Sequence, residues 1–236
     1  MQFLLFQLQA SLAAWGDVAV GEYRGSRDAP GASALIGLLG AALGAMRDDE
    51  AAHAALRDGY LFAVGTVAGG QLLRDYHTAQ VPGRAQLRGR PHHTRRDELS
   101  VPKHELNTIL STRDYRQNAA WAVAVQAQAG AAHSLQALAQ ALRAPRFVLY
   151  LGRKCCPPAA PLAPVVHESE SAHAALLAYL AAASPPATLR SLAWADGVLA
   201  GVPAHLSTPR KDRLIRRRGW LFGDCTEHLA LLAEDD

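Results

Sequence analysis

The chain has 236 residues, half of them hydrophobic, with 24 Lys/Arg against 21 Asp/Glu and a formal charge of +3. That is enough apolar material to bury a core in one large domain or two small ones, which excludes a disordered chain. Cys155 and Cys156 are adjacent and Cys225 is remote, so neither a disulfide framework nor a zinc spacing is present, and no metal or cofactor is expected.

Met1 leads directly into Phe3-Leu4-Leu5-Phe6, too short a run to target or to span, so a cytoplasmic chain without a membrane partner is expected. Residues 3–8 read as a short buried strand, being apolar and aromatic-rich. Pro30-Gly31-Ala32-Ser33 then supplies a turn and a capping serine. Leu35, Leu38, Leu39, Ala42, Leu43 and Met46 follow at helical spacing, which predicts an amphipathic helix over about 34–46. Residues 60–67 have the β-branched and aromatic content of a second strand.

About 40 residues follow, from Arg74 to Arg116, rich in Arg, His, Pro and Gly and poor in periodicity; they read as a long functional or disordered connection. Trp121, Val123 and Val125 alternate with alanines in a third strand. Leu135, Leu138, Ala139 and Leu142 mark a second helix that must stop before Pro145, and Phe147-Val148-Leu149-Tyr150 reads as a fourth strand. Pro-rich segments, a helix near 172–183 and a β-like tail ending in Trp220-Leu221-Phe222 complete the chain. The fold class is therefore α+β: a β-α-β-β-α-β, ferredoxin-like or RNA-recognition-motif-like domain over 1–157, with a smaller C-terminal β-rich region over 158–236. Many functions use that order, so it decides none of them.

Charge is more informative. Residues 81–104 hold six Lys/Arg against two acids and residues 210–218 hold six against one, leaving the rest of the chain net negative. Concentration of this kind points to a polyanionic partner. Arg84, Arg88, Arg90, His92, His93, Arg95, Arg96, Lys103 and His104 can grip a nucleic-acid backbone through charge-assisted contacts, arginine also stacking on bases.

At the entrance to this segment Arg74-Asp75-Tyr76-His77-Thr78 offers a salt bridge, an aromatic plane and a titratable ring. Strand alternation would set Tyr76 opposite Asp75 and His77, as either a packed or a base-stacking ring. In Tyr150-Leu151-Gly152-Arg153-Lys154 the glycine admits a ligand to the backbone, the two cations supply charge, and Tyr150 offers a stacking face. The first helix begins at Ser33 with Arg24 and Arg27 just upstream, a setting that favours a phosphate. The glycines at 31, 37, 40 and 44 fit no nucleotide-binding loop, and those inside the helix read as close packing.

Four blocks together carry a family resemblance: residues 8–16, residues 30–44 with Arg47-Asp48-Asp49, residues 74–78 and residues 150–154. In order and spacing they resemble the CasD family of type I-E CRISPR Cascade complexes. The resemblance implies a modified RNA-recognition-motif fold with a long thumb insertion, here about 78–112. It also implies a non-catalytic subunit that binds the 5′ handle of the guide RNA and touches the CasC backbone and the large CasA subunit. Target DNA would be met only through the complex. The stacking aromatics of ordinary RNA-recognition motifs are missing, so RNA is expected to run over loops and the thumb. Cys155 stands where the family more often has a small polar residue. Relatives of another subtype cut precursor RNA without metal, and Tyr76, His77, Lys103 and His104 define that alternative, a metal-independent endoribonuclease.

Overall fold

A computed structural model describes residues 1–17, 19, 21–90 and 92–232; position 91 of the basic connection and 233–236 of the C-terminal region lie outside the described residues. The chain begins with β1 (Gln2–Ala13), β2 (Trp15–Gly16), β3 (Tyr23–Arg24) and β4 (Ser26–Arg27). Helices α1 (Ala32–Leu43) and α2 (Glu50–Gly59) precede β5 (Tyr60–Ala68) and β6 (Gln71–Pro82). Two single-turn helices, α3 (Arg84–Leu87) and α4 (Arg95–Glu98), and a 3-10 turn at Lys103–Glu105 lead into β7 (Leu106–Ala127). Then come α5 (Leu135–Arg143), β8 (Val165–Glu168), α6 (Ala172–Ala181), β9 (Ser191–Ala195), β10 (Leu206–Arg216) and β11 (Leu221–Leu231).

Among the described residues nine strands form one sheet whose centre runs β5–β7–β1–β8, each neighbour antiparallel. β1 is apolar on both sides because both faces of the sheet are covered. Leu4, Phe6 and Leu8 join Trp121, Val123 and Val125 beneath α1, α2 and α5. Phe3 and Leu5, with the small Ala122 and Ala124, face α6 instead. Each large side chain buried this way contributes roughly 1.5–3 kcal/mol. The chain beyond 157 supplies both ends of the same sheet: β8 lies beside β1, while β9, β11 and β10 extend it from β5. Among the described residues no helix is long and apolar enough to cross a membrane.

The helix glycines have specific neighbours. A Cβ on Gly37 would stand 2.7 Å from Nη2 of Arg217, and one on Gly40 would stand 3.3 Å from His53. Gly44 ends α1 in the left-handed region, at φ +82°.

Four expectations need correction. The stretch 74–116 is not an irregular connection: β6 and β7 pair continuously from Gln71↔Gln117 to Pro82↔Leu106 and form a two-stranded arm. Nearly every β6 residue from Gln71 to Gln80 is exposed or half-exposed, so no alternation betrays the strand. Phe147–Tyr150 is not a strand either. The N–H groups of Arg146 and Phe147 donate to the carbonyls of Ala42 (3.0 Å) and Ala41 (3.1 Å), closing the end of α1, and β8 takes the place beside β1. The segment 50–59 forms an unforeseen helix, α2, capped by Asp49, whose side chain accepts from the N–H of Ala52 (3.0 Å). Last, the β-like tail does not end at Phe222, since β11 continues to Leu231.

Beyond its parallel pairing with β3 at Tyr23↔Thr112 and Arg24↔Arg113, the arm is two-stranded for about 17–20 Å at about 3.4 Å per residue. Where β7 exchanges β5 for β6 as its neighbour, Asn118 adopts φ +55°.

Candidate nucleic-acid interface

The register of the arm places Arg74 directly opposite Asp114, while β3 brings Tyr23 alongside from the other side of β7. The Asp114 side chain is 2% exposed. Its two carboxylate oxygens accept from Nε (2.9 Å) and Nη2 (3.0 Å) of Arg74, a bidentate pair, and from the Tyr23 hydroxyl (2.5 Å). Those hydrogen bonds, Arg74's first, hold the Asp114 carboxyl below its ordinary range, and Arg153 adds a further favourable charge. The same contact with Asp114 pushes the Tyr23 hydroxyl up and keeps Arg74 protonated.

Arg153 closes the cluster. It donates to the carbonyls of Asp114 (3.1 Å) and Arg24 (3.0 Å), and its guanidinium lies 4.5 Å from the Tyr115 ring centroid. The base of the arm is thus a rigid cationic platform, with Arg74 held in place while its side chain stays 56% exposed.

The expected site residues fall into three groups. Arg74 and Arg153 come together in this platform, with Arg24 beside them, although Arg24 turns its own side chain back onto the carbonyls of Gly21 (2.6 Å) and Tyr23 (3.0 Å). Tyr76 stands on the arm at 65% exposure, and His77 faces Asp75 at 3.5 Å. Lys154 is exposed and Tyr150 is 39% exposed on the loop after α5.

The second group occupies the tip of the arm, where Arg84, Arg88, Arg90, Arg95, Arg96 and Lys103 are all exposed. Arg90 donates to the Ser100 carbonyl (2.5 Å), and Arg95 pairs with Glu98 (2.7 Å) and reaches the Gln80 carbonyl, which folds the tip onto itself. Among the described residues Arg84, Arg88, Arg96 and Lys103 have no side-chain partner.

The third group is committed to the protein's own structure. The start of α1 already holds a carboxylate: Asp212 of β10 accepts from the N–H (3.3 Å) and hydroxyl of Ser33, so the expected phosphate position there is filled. Arg27 is shared between Asp17 (3.5 Å) and Glu227 (3.7 Å). Gly152 admits backbone rather than ligand. At φ +86°, a Cβ there would stand 1.7 Å from the Ala14 carbonyl oxygen.

Sequence reasoning passed over Tyr23, Asp114 and Tyr115. The available signal was an acid between cations at Arg113-Asp114-Tyr115-Arg116. Among the described residues no cluster of three or more His, Cys, Asp or Glu is placed to hold a metal. The Cys155 and Cys156 sulfurs lie 3.9 Å apart, and burial pushes the Cys156 thiol up to about 12.

Over residues 3–220 the sequence conforms to the family described as CRISPR-associated protein (Cas_Cas5), and the chain belongs to it. Within that family it is a CasD relative. It is 33% identical over 181 residues to the CRISPR system Cascade subunit CasD of Escherichia coli (strain K12), covering 75% of this chain and 76% of the relative. Solved structures share the fold, two of them over nearly the whole chain. One, described as a CRISPR RNA-guided surveillance complex, aligns with TM-score 0.66 at 23% identity over 97% of this chain and 89% of that one. The other, described as a Cas protein, aligns with TM-score 0.63 at 24% identity over 99% and 96% of the two chains.

Proposed function

We propose that this chain is a non-catalytic Cascade subunit that binds and caps the 5′ handle of the guide RNA and joins the CasC backbone to the large CasA subunit. The observation that carries the reading is the arm: at its tip the exposed Arg84, Arg88, Arg96 and Lys103, without side-chain partners among the described residues, and a preorganised Arg74–Arg153 platform at its base. Unpaired guanidinium groups on a projecting two-stranded element suit a phosphodiester backbone, and Tyr76 adds a free ring for stacking. The E. coli relative is a Cascade subunit, which supports the same assignment. The interleaved order β5–β7–β1–β8, with α1 and α5 on one face, supports a ferredoxin-like description of the sheet. Residues 78–112 would then be the thumb.

The arm also argues against cleavage. His77 lies five residues before Pro82, about 17 Å along the strand at ~3.4 Å per residue, whereas Lys103 and His104 sit in the turn just before Leu106, the partner of Pro82. Acid–base catalysis needs these groups within about 3 Å of atoms around a single phosphate.

The test is equilibrium binding of single-stranded repeat RNA across a salt series. The wild type should lose about 0.7 log units of affinity per log unit of salt for each neutralised phosphate. Joint replacement of Arg84, Arg88, Arg90, Arg95 and Arg96 by alanine should flatten that dependence. An unchanged slope would make the tip an ordinary solvated surface.

A further inference from the structure

A second concentration of positive charge lies at the turn joining β10 and β11. The backbone N–H groups of Arg217 and Arg218 donate to the two carboxylate oxygens of Glu50 (3.0 and 2.7 Å), which pins the turn to the start of α2 and engages the adjacent carboxylate. The Arg217 guanidinium packs against α1 at Gly37. Its Nε is buried without a hydrogen-bond partner, and among the described residues neither Arg217 nor Arg47 forms an ion pair.

Both guanidinium groups lie over the same indole, Arg47 at 5.2 Å and Arg217 at 5.6 Å from the Trp220 centroid. Trp220 is 52% exposed, whereas Trp15, Trp121 and Trp194 are 3%, 1% and 8% exposed. Burial, with the neighbouring charge of Arg47, lowers the proton affinity of Arg217, while Tyr150 and Glu50 act on it in the opposite sense. Two like charges over one ring, one of them partly desolvated with its Nε unpartnered, are only partly offset by Glu50, whose carboxylate is already engaged by the backbone of the turn, and favour a further anion. A single phosphate supplies that anion compactly, while the Trp220 ring, with both guanidinium groups over it and Phe222 stacked at 6.2 Å, holds the pair in place. The exposed Asp48 and Asp49 beside Arg47 would repel an extended acidic peptide.

We propose that Arg47 and Arg217 form a subsite for one phosphate of single-stranded RNA, with the Trp220 ring as the platform that holds the two guanidinium groups together. The proposal rests on the guide-RNA reading and extends the contact from the arm to the β10–β11 turn.

The test titrates the full chain with single-stranded repeat RNA while following both tryptophan emission and the anisotropy of labelled RNA. Binding should quench the emission of the exposed tryptophan, and Trp220→Phe should abolish that change while the protein still binds. Arg47→Gln with Arg217→Gln should reduce the salt slope by about 0.7, the value for one phosphate on a single strand. Gly37→Ala, which displaces the Arg217 guanidinium from outside the turn, should weaken binding at unchanged melting temperature. If the wild type binds RNA with emission and slope indifferent to these changes, the subsite is wrong and the guide-RNA reading stands. No RNA binding by the wild type would overturn both. Quenching by a polyglutamate peptide but not by RNA would assign the patch to a protein partner and overturn the subsite.

Discussion

Asp114 accepts three hydrogen bonds while almost wholly buried, and its carboxyl is held below the ordinary range chiefly by Arg74. A carboxyl whose folded pKa is depressed stabilises the fold fully above its unfolded value, near pH 4, and that stabilisation is lost as the pH falls through the folded pKa. The melting temperature of the wild type should therefore fall more steeply below about pH 4 than that of Asp114→Asn. At neutral pH the variant should already be less stable by about 1–3 kcal/mol. Parallel acid limbs would show that Asp114 is not linked to folding. A second residue separates structure from binding in the 150–154 block. Gly152→Ala should cost at least about 1–3 kcal/mol from the left-handed backbone alone, before the contact with Ala14 is counted. The exposed Lys154→Ala should stay within about 0.5 kcal/mol of the parent. Urea midpoints distinguish the two, and equal midpoints would refute the packing role of Gly152.

At the scale of elements, the arm is separable from the core. None of the described residues within 83–105 belongs to either apolar cluster, and Pro82 and Leu106 are already paired. Replacing 83–105 by Asn-Gly, a two-residue hairpin turn, should leave the melting temperature nearly unchanged while sharply weakening RNA binding. A collapse in stability would mean that the tip supports the fold. The same separation explains what could be read from sequence. β1, β5, α1, α5 and α6 were legible because burial imposes a pattern on their residues, continuous in β1 and helical in α1. β6 was not, since a wet two-sided arm needs no alternation. α2 escaped notice because alanines surround its single buried leucine, Leu56. Phe147-Val148-Leu149-Tyr150 has strand propensity, but the hydrogen-bonding needs of the end of α1 decide its conformation. Within the site, the cations were visible as charge. Tyr23 and Asp114, 91 residues apart, meet only through the β3–β7 pairing, which no local pattern announces.

Across the whole molecule, Asp212 joins the last hairpin to the first helix through its hydrogen bonds to Ser33. Asp212→Ala should cost about 1 kcal/mol, as loss of a helix cap does, and should speed amide exchange in β10 and β11 more than in β1. Uniform acceleration in all three strands would place the contact in the global unfolding unit instead. β7 has a different consequence. Its 22 residues run unbroken from the buried Trp121 layer to the end of the arm, and Asn118 sits between the two halves in a conformation that a β-branched residue resists. The arm is therefore a lever with its short end clamped in the core and Asn118 as its pivot. Its aim is set where β7 turns at Asn118 and is braced just beyond that point by the pairing with β3 and the contacts of Arg153.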